Sequence, residues 1–284
     1  MVKGLYRSAL FVPGDHEGAM RKACTLPADV LIFDLEDGVS PDTKDKARDT
    51  IAEHLKQDDF SHHTTVIRLN HSSTDWHLAD VNMAAYSGCD AIMLSKANSV
   101  KEVKLAARLL AQQGAADKPL WLNIETPKGI CNLEAMAQLP QVQALVMGTN
   151  DLRNDLRIRQ SSERTGMQYA LQKTVMCARA YHKIAFDGTW VNLSDDEGLQ
   201  REAEQGRMLG FDGKTLIHPK QIEVANHLFS PTPDEFEEAE AIVATYEEAI
   251  QQHRAVTLLN GRMIERLHYD RAKELLNLKE KLAA

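Results

Sequence analysis

Cysteine is scarce and scattered. The four thiols, Cys24, Cys89, Cys131 and Cys177, form no CxxC pair. That spacing argues against a zinc knuckle or a disulfide framework and predicts reduced, mostly buried thiols. Long apolar runs are missing as well: no stretch approaches a membrane span. The apolar run before Asp15 is too short for a secretory signal, so the expected location is cytoplasmic. Positive charge is in deficit, and a net charge of −8 argues against a nucleic-acid partner. Neither a P-loop nor GxGxxG occurs, so no glycine-rich phosphate cradle is expected. A GxSxG elbow is also absent, which argues against a serine hydrolase.

What is present alternates. Apolar runs at 8–14, 30–37, 65–70, 91–96, 120–126, 144–151, 183–190 and 214–219 each end in polar residues. Between them lie helical patterns. Residues 43–56 place Ala47, Ile51 and Leu55 on one face, and 100–113 do the same with Val103, Ala106, Leu109 and Leu110. Residues 160–182 and 197–209 read similarly. Continuous apolar strands with helical crossovers imply a parallel sheet covered by helices. Eight such units in a chain of 284 residues predict an α/β fold, a (β/α)₈ TIM barrel, with a doubly wound sheet as the alternative.

The pattern changes after Phe229. The expected division is a barrel domain at 1–228 and a C-terminal extension at 229–284. The extension opens with Thr232 as a candidate N-cap and Pro233 in the first helical turn. Asn260-Gly261 between two apolar arms signals a hairpin, and a helix at about 266–281 closes the chain. So small a segment is expected to pack on the barrel or on another subunit.

Active sites of such barrels lie at the strand C-termini. The strand-end residues are Asp34, Glu36, Asp37, Arg68, Asn70, Lys96, Glu125, Asn150, Asp151, Asp187 and His218. Carboxylates dominate, and converging carboxylates repel unless a cation sits among them. Oxygen ligands suit Mg²⁺ or Mn²⁺. Glu125 and Asp151 close adjacent strands and could share one cation. Each has a plainer reading, Asp151 as a helix cap and Glu125 as a solvated loop residue. Arg68 either grips an anionic substrate or pairs with Asp34 or Glu36. Lys96 is either a substrate contact or a surface lysine. Asp195, Asp196 and Glu197 read as acids at a helix start.

Several ordered stretches then carry a resemblance. They include RSALFVPGD (7–15), DVLIFDLEDGVSPDTKDKAR (29–48), VIRLN (66–70), NIETPKGICNL (123–133), MGTNDLRNDL (147–156), GFDGKTLIHPKQI (210–222) and NGRMIE (260–265). Together they resemble the HpcH/HpaI aldolase and citrate lyase superfamily, in its CitE-like branch. That branch contains citrate lyase β subunits and malyl-CoA, β-methylmalyl-CoA and citramalyl-CoA lyases. The resemblance implies a Mg²⁺-binding TIM barrel assembled as a homotrimer or hexamer. It makes Glu125 and Asp151 the metal ligands. Arg68 becomes a catalytic and substrate-binding residue, and Glu36 a supporting catalytic residue. Lys96, Asp34, Asp37 and Asn150 are expected at the substrate. Relatives usually carry an Asp after Met-Ile in the last motif, as acid/base from a neighbouring subunit; here the residue is Glu265. Ser95 stands where relatives often have Pro, and Asn192 where an acid is common.

The implied activity is Mg²⁺-dependent carbon–carbon cleavage of a 3-hydroxyacyl-CoA to acetyl-CoA or propionyl-CoA and a 2-oxo acid. The alternatives are a citryl-thioester lyase β subunit acting on an acyl carrier protein, and a non-catalytic barrel that binds CoA esters or oxo acids.

Overall fold

Eight parallel strands close on themselves in chain order. They are β1 (Ser8–Pro13), β2 (Val30–Asp34), β3 (Thr64–Leu69), β4 (Ala91–Leu94), β5 (Leu120–Ile124), β6 (Val142–Met147), β7 (Ile184–Asp187) and β8 (Gly213–Leu216). Helices cover the outside. In a computed structural model, residues 5–159, 161 and 163–283 are described. The expected (β/α)₈ barrel is thus observed, and the doubly wound sheet is excluded by the pairing of β8 with β1.

The strands read as unbroken apolar runs because both of their faces are buried. One face packs outward against the helices, through residues such as Leu31, Phe33, Ile67, Leu122 and Leu145. The other fills the barrel. Ala9, Ile32, Val66, Met93, Trp121, Val146 and Phe186 form that inner cluster. Trp121 stacks on Phe186 at 5.2 Å between centroids, and Tyr6 meets both rings edge-on. Each fully buried aromatic or branched side chain contributes roughly 1.5–3 kcal/mol relative to exposure. The interior is a packed plug, and it ends upward at Phe11 and Val146, where a cavity begins.

Local signals fix the helices. Ser99 caps Val100–Gln112 by accepting from the Glu102 N–H, while Val103, Ala106 and Leu110 are buried. The expected helix over 160–182 runs only from Gln168 to Ala180. Residues 160 and 162 lie outside the described residues. Arg164 has φ of 50°, and Thr165–Met167 form a 3₁₀ turn, so the α-helix starts later.

The chain divides into two compact units, 3–229 and 230–284. The second holds a helix, Pro233–Gln251, a hairpin of β9 (Val256–Leu259) and β10 (Arg262–Glu265), and a helix, Arg266–Ala283. Thr232 and Glu235 form a reciprocal capping box at the first helix. Asn260 and Gly261, with φ of 51° and 80°, make the tight turn expected of that dipeptide. Tyr246 and Tyr269 pack at 5.2 Å inside this unit. Among the described residues no helix is long and apolar enough to cross a membrane.

Candidate active site

Register sets the site. Asp34 and Arg68 are direct neighbours across β2 and β3. Arg68 Nε and Nη2 donate to Asp34 Oδ1 and Oδ2 at 2.7 and 2.5 Å. Its Nη1 lies 3.0 Å from Glu36 Oε2, and its guanidinium sits 4.7 Å over the Phe11 ring. A buried guanidinium is costly unless its N–H groups are filled. Asp34 fills two of its five N–H groups and Glu36 lies beside a third, so two remain for a ligand. Both readings of Arg68 are therefore compatible: it is ion-paired, and it still lines the cavity.

Asp34, expected at the substrate, instead underlies Arg68. It is buried, and its oxygens also accept the Glu36 and Gly38 N–H groups at 2.8 and 2.9 Å. Burial works against its charge. Arg68 and those N–H groups outweigh burial and hold the carboxyl below the usual range. With both oxygens engaged, it orients the arginine.

Lys96 follows β4 in the left-handed region, with φ of 48°. That conformation costs a lysine roughly 1–3 kcal/mol. It places the Lys96 N–H 2.7 Å from Glu125 Oε1 and the ammonium 2.7 Å from Glu36 Oε1. Asp37 and Asp151 lie 3.5 and 3.7 Å from the same nitrogen. Burial opposes the ammonium charge. The Glu36 hydrogen bond and the surrounding acids prevail and raise its pKa. Lys96, expected at the substrate, thus ties four carboxylates together.

Glu125 follows β5 and is buried. Burial, then the charge of Glu36, push its carboxyl up to about 8, although Arg68 and the Lys96 N–H pull the other way. Gly148, beside it at the end of β6, has to be glycine: a Cβ there would collide with Glu125. Asp151 sits in the first turn of the helix Thr149–Asp155, whose N-cap is Gly148. Its side chain makes no cap and reaches toward Lys96 instead. The cap reading of Asp151 therefore fails. Asp195 and His218 do cap their helices, through the Gly198 and Lys220 N–H groups.

These groups meet in an open cavity of about 130 Å³ at the strand C-termini. Of the expected residues, Arg68, Glu125, Asp151, Asp37 and Asn150 line it. Glu36 and Lys96 stand behind them, bonded to Arg68 and Glu125. Glu265 ends β10 in the second unit, while barrel residues supply every side of this cavity. Asn123, Thr189 and Thr215 also line it. Asn123 had a signal in the sequence, a polar residue inside the apolar run LWLNI.

A second network lies below the β7 and β8 ends. Arg164 Nη1 is 2.7 Å from Asp187 Oδ1, and Lys214 Nζ is 2.7 Å from Glu202 and 3.5 Å from Asp187. Lys214 also donates to the Gly188 carbonyl at 2.6 Å. Burial opposes the Asp187 charge, yet Lys214 and Arg164 hold its carboxyl below the usual range. The network anchors the loop that carries Thr189.

Among the described residues no group of three or more His, Cys, Asp or Glu side chains is arranged to hold a metal. Two oxygen donors, Glu125 and Asp151, do face one cavity. A hard divalent ion that keeps water or substrate in its other positions fits such a pair. The raised pKa of Glu125 marks a carboxylate short of positive charge.

The chain is therefore a (β/α)₈-barrel protein with an arginine-anchored, carboxylate-rich cavity at its strand ends. It belongs to the HpcH/HpaI aldolase/citrate lyase family, whose model matches residues 7–219. It is 40% identical over 279 residues to a (3S)-malyl-CoA thioesterase of Cereibacter sphaeroides, covering 98% of this chain and 96% of that one. It is 32% identical over 279 residues to the citrate lyase subunit beta of Haemophilus influenzae, covering 96% of each. The crystal structure of CitE from Mycobacterium tuberculosis, in complex with magnesium, acetoacetate and coenzyme A, is similar with a TM-score of 0.78 and 26% identity. That match covers 97% of this chain and 98% of that one.

Proposed function

We propose that this chain is a Mg²⁺-dependent carbon–carbon lyase acting on a 3-hydroxyacyl-CoA of the malyl or citramalyl type. Products are acetyl-CoA or propionyl-CoA and a 2-oxo acid. The observation that carries this reading is the shared cavity of Arg68, Glu125 and Asp151, with Arg68 held rigid by Asp34 and Glu36. The relative crystallised with magnesium, acetoacetate and coenzyme A supports the ligand classes.

Glu125 and Asp151 would hold the ion. When bound, Mg²⁺ supplies positive charge beside the oxygen that changes from hydroxyl to carbonyl. Arg68 binds the carboxylate of the acid end through its outward N–H groups and fixes the carbinol carbon over the cavity floor. Asp34 and Glu36 keep the guanidinium from turning. In cleavage the carbon–carbon bonding pair moves into the thioester as an enolate. The hydroxyl proton passes to water in the open cavity, and one proton is delivered to the former enolate carbon. Glu265 of a neighbouring copy in a homotrimer or hexamer is the donor.

A second reading, hydrolysis of the thioester, is favoured by the 40% match to a malyl-CoA thioesterase. One assay separates the two. The protein is incubated with Mg²⁺ and malyl-, β-methylmalyl-, citramalyl- or citryl-CoA. Free thiol and oxo acid are then measured. Oxo acid with intact acyl-CoA supports the lyase. Free CoA with the intact hydroxy acid supports hydrolysis. No turnover of any of the four by folded protein overturns both.

A further inference from the structure

A second cavity of about 50 Å³ adjoins the first, and Thr149, Asn150 and Thr189 line both. Asn150 Nδ2 donates to Thr189 Oγ1 at 3.0 Å, which holds two of these shared residues together. The charges around the second cavity are unequal. Arg164 and Glu202 belong to the buried network with Lys214 and Asp187, where two cations meet two anions. That leaves Arg153, half-buried, and Arg159, exposed. Among the described residues neither makes an ion pair or a side-chain hydrogen bond. Two uncompensated guanidinium groups line one concavity of a protein with net charge −8. Guanidinium forks match carboxylate and phosphate oxygens.

We infer that this second cavity binds an anionic group of a ligand whose other end occupies the Glu125–Asp151 cavity. The inference deepens the proposed function and rests on it. The anion is either a second carboxylate on the oxo acid or a phosphate of the thioester's carrier arm. The chemistry is the same, and the experiment separates the sources.

Binding to wild type and to Arg153→Ala/Arg159→Ala is measured calorimetrically with Mg²⁺ present. One arm compares oxaloacetate with pyruvate, the other coenzyme A with pantetheine. Loss of two charge-assisted contacts should weaken the member of one pair that carries the additional anionic group by about tenfold to a hundredfold. The comparator that lacks this group, pyruvate or pantetheine, should not change. Loss confined to oxaloacetate identifies the carboxylate, and loss confined to coenzyme A identifies the phosphate. Arg153→Lys/Arg159→Lys should recover part of the affinity. Equal affinities for all four probes in wild type and variant overturn the inference. So does equal weakening of pyruvate, which would place the arginines in the first cavity. Wild type that binds neither oxo acid defeats the lyase reading instead. Inorganic phosphate then tests the cavity directly: weaker binding to the Ala variant sustains it, and identical binding overturns it.

Discussion

Glu125→Gln tests the electrostatics of the site without changing its shape. The amide oxygen can still accept the Lys96 N–H, and only the charge is lost. In the metal-free protein the Glu125 carboxyl sits near 8, against an ordinary 4.5. Between those two values the folded state holds a proton that the unfolded chain has released. Wild-type stability therefore falls as pH rises through this window and levels off above it. The gap corresponds to roughly 5 kcal/mol at full ionisation. In EDTA, Glu125→Gln should match wild type at pH 4.5 and exceed it at pH 9, by up to roughly 5 kcal/mol. Urea unfolding across this range, followed by circular dichroism, measures the difference. Saturating Mg²⁺ should stabilise wild type most at alkaline pH and should stabilise the variant little. Parallel pH profiles in EDTA would refute the electrostatic argument. Equal stabilisation of both proteins by Mg²⁺ would remove Glu125 from the ligand set.

Other outcomes follow from the same geometry. Asp151→Asn should weaken Mg²⁺-dependent stabilisation without changing the metal-free melting temperature by more than a degree or two, because Asp151 caps nothing; thermal melts with and without Mg²⁺ check this. Lys214→Met leaves Asp187 and Glu202 undercompensated and should cost roughly 3–5 kcal/mol in urea unfolding. Glu265→Ala should lower kcat by about a hundredfold or more while oxo-acid binding stays unchanged, and Glu265→Asp should recover much of it. Equal losses in both Glu265 variants would count against an acid/base role.

The barrel was legible because strands buried on both faces leave an unmistakable apolar imprint. Their ends were harder. The run 30–37 stops as a strand at Asp34, since the Asp34 carboxylate captures the Glu36 and Gly38 N–H groups and turns the chain. β6 begins at Val142, two residues before the apolar run at 144. The acids of the site were visible as strand-end residues, but their division of labour was not. Asp34 and Glu125 look alike in sequence; register puts one against Arg68 and the other beside Gly148. The left-handed turn at Lys96 has no signal, because lysine is not a residue that favours it. The Arg164–Asp187–Glu202–Lys214 network joins positions far apart in the chain, and no local pattern encodes it.

The clamp on Arg68 has a stereochemical consequence. A guanidinium free to rotate would receive a carboxylate from many directions. Here Asp34 and Glu36 fix its plane, and the Phe11 ring closes one face. If the proposed substrate docks its acid end in that single plane, it would present the neighbouring carbinol to Glu125 and Asp151 with one hand only. In the proposed reaction, chirality at the carbon–oxygen centre would thus be selected by an arginine that never touches the bond being broken.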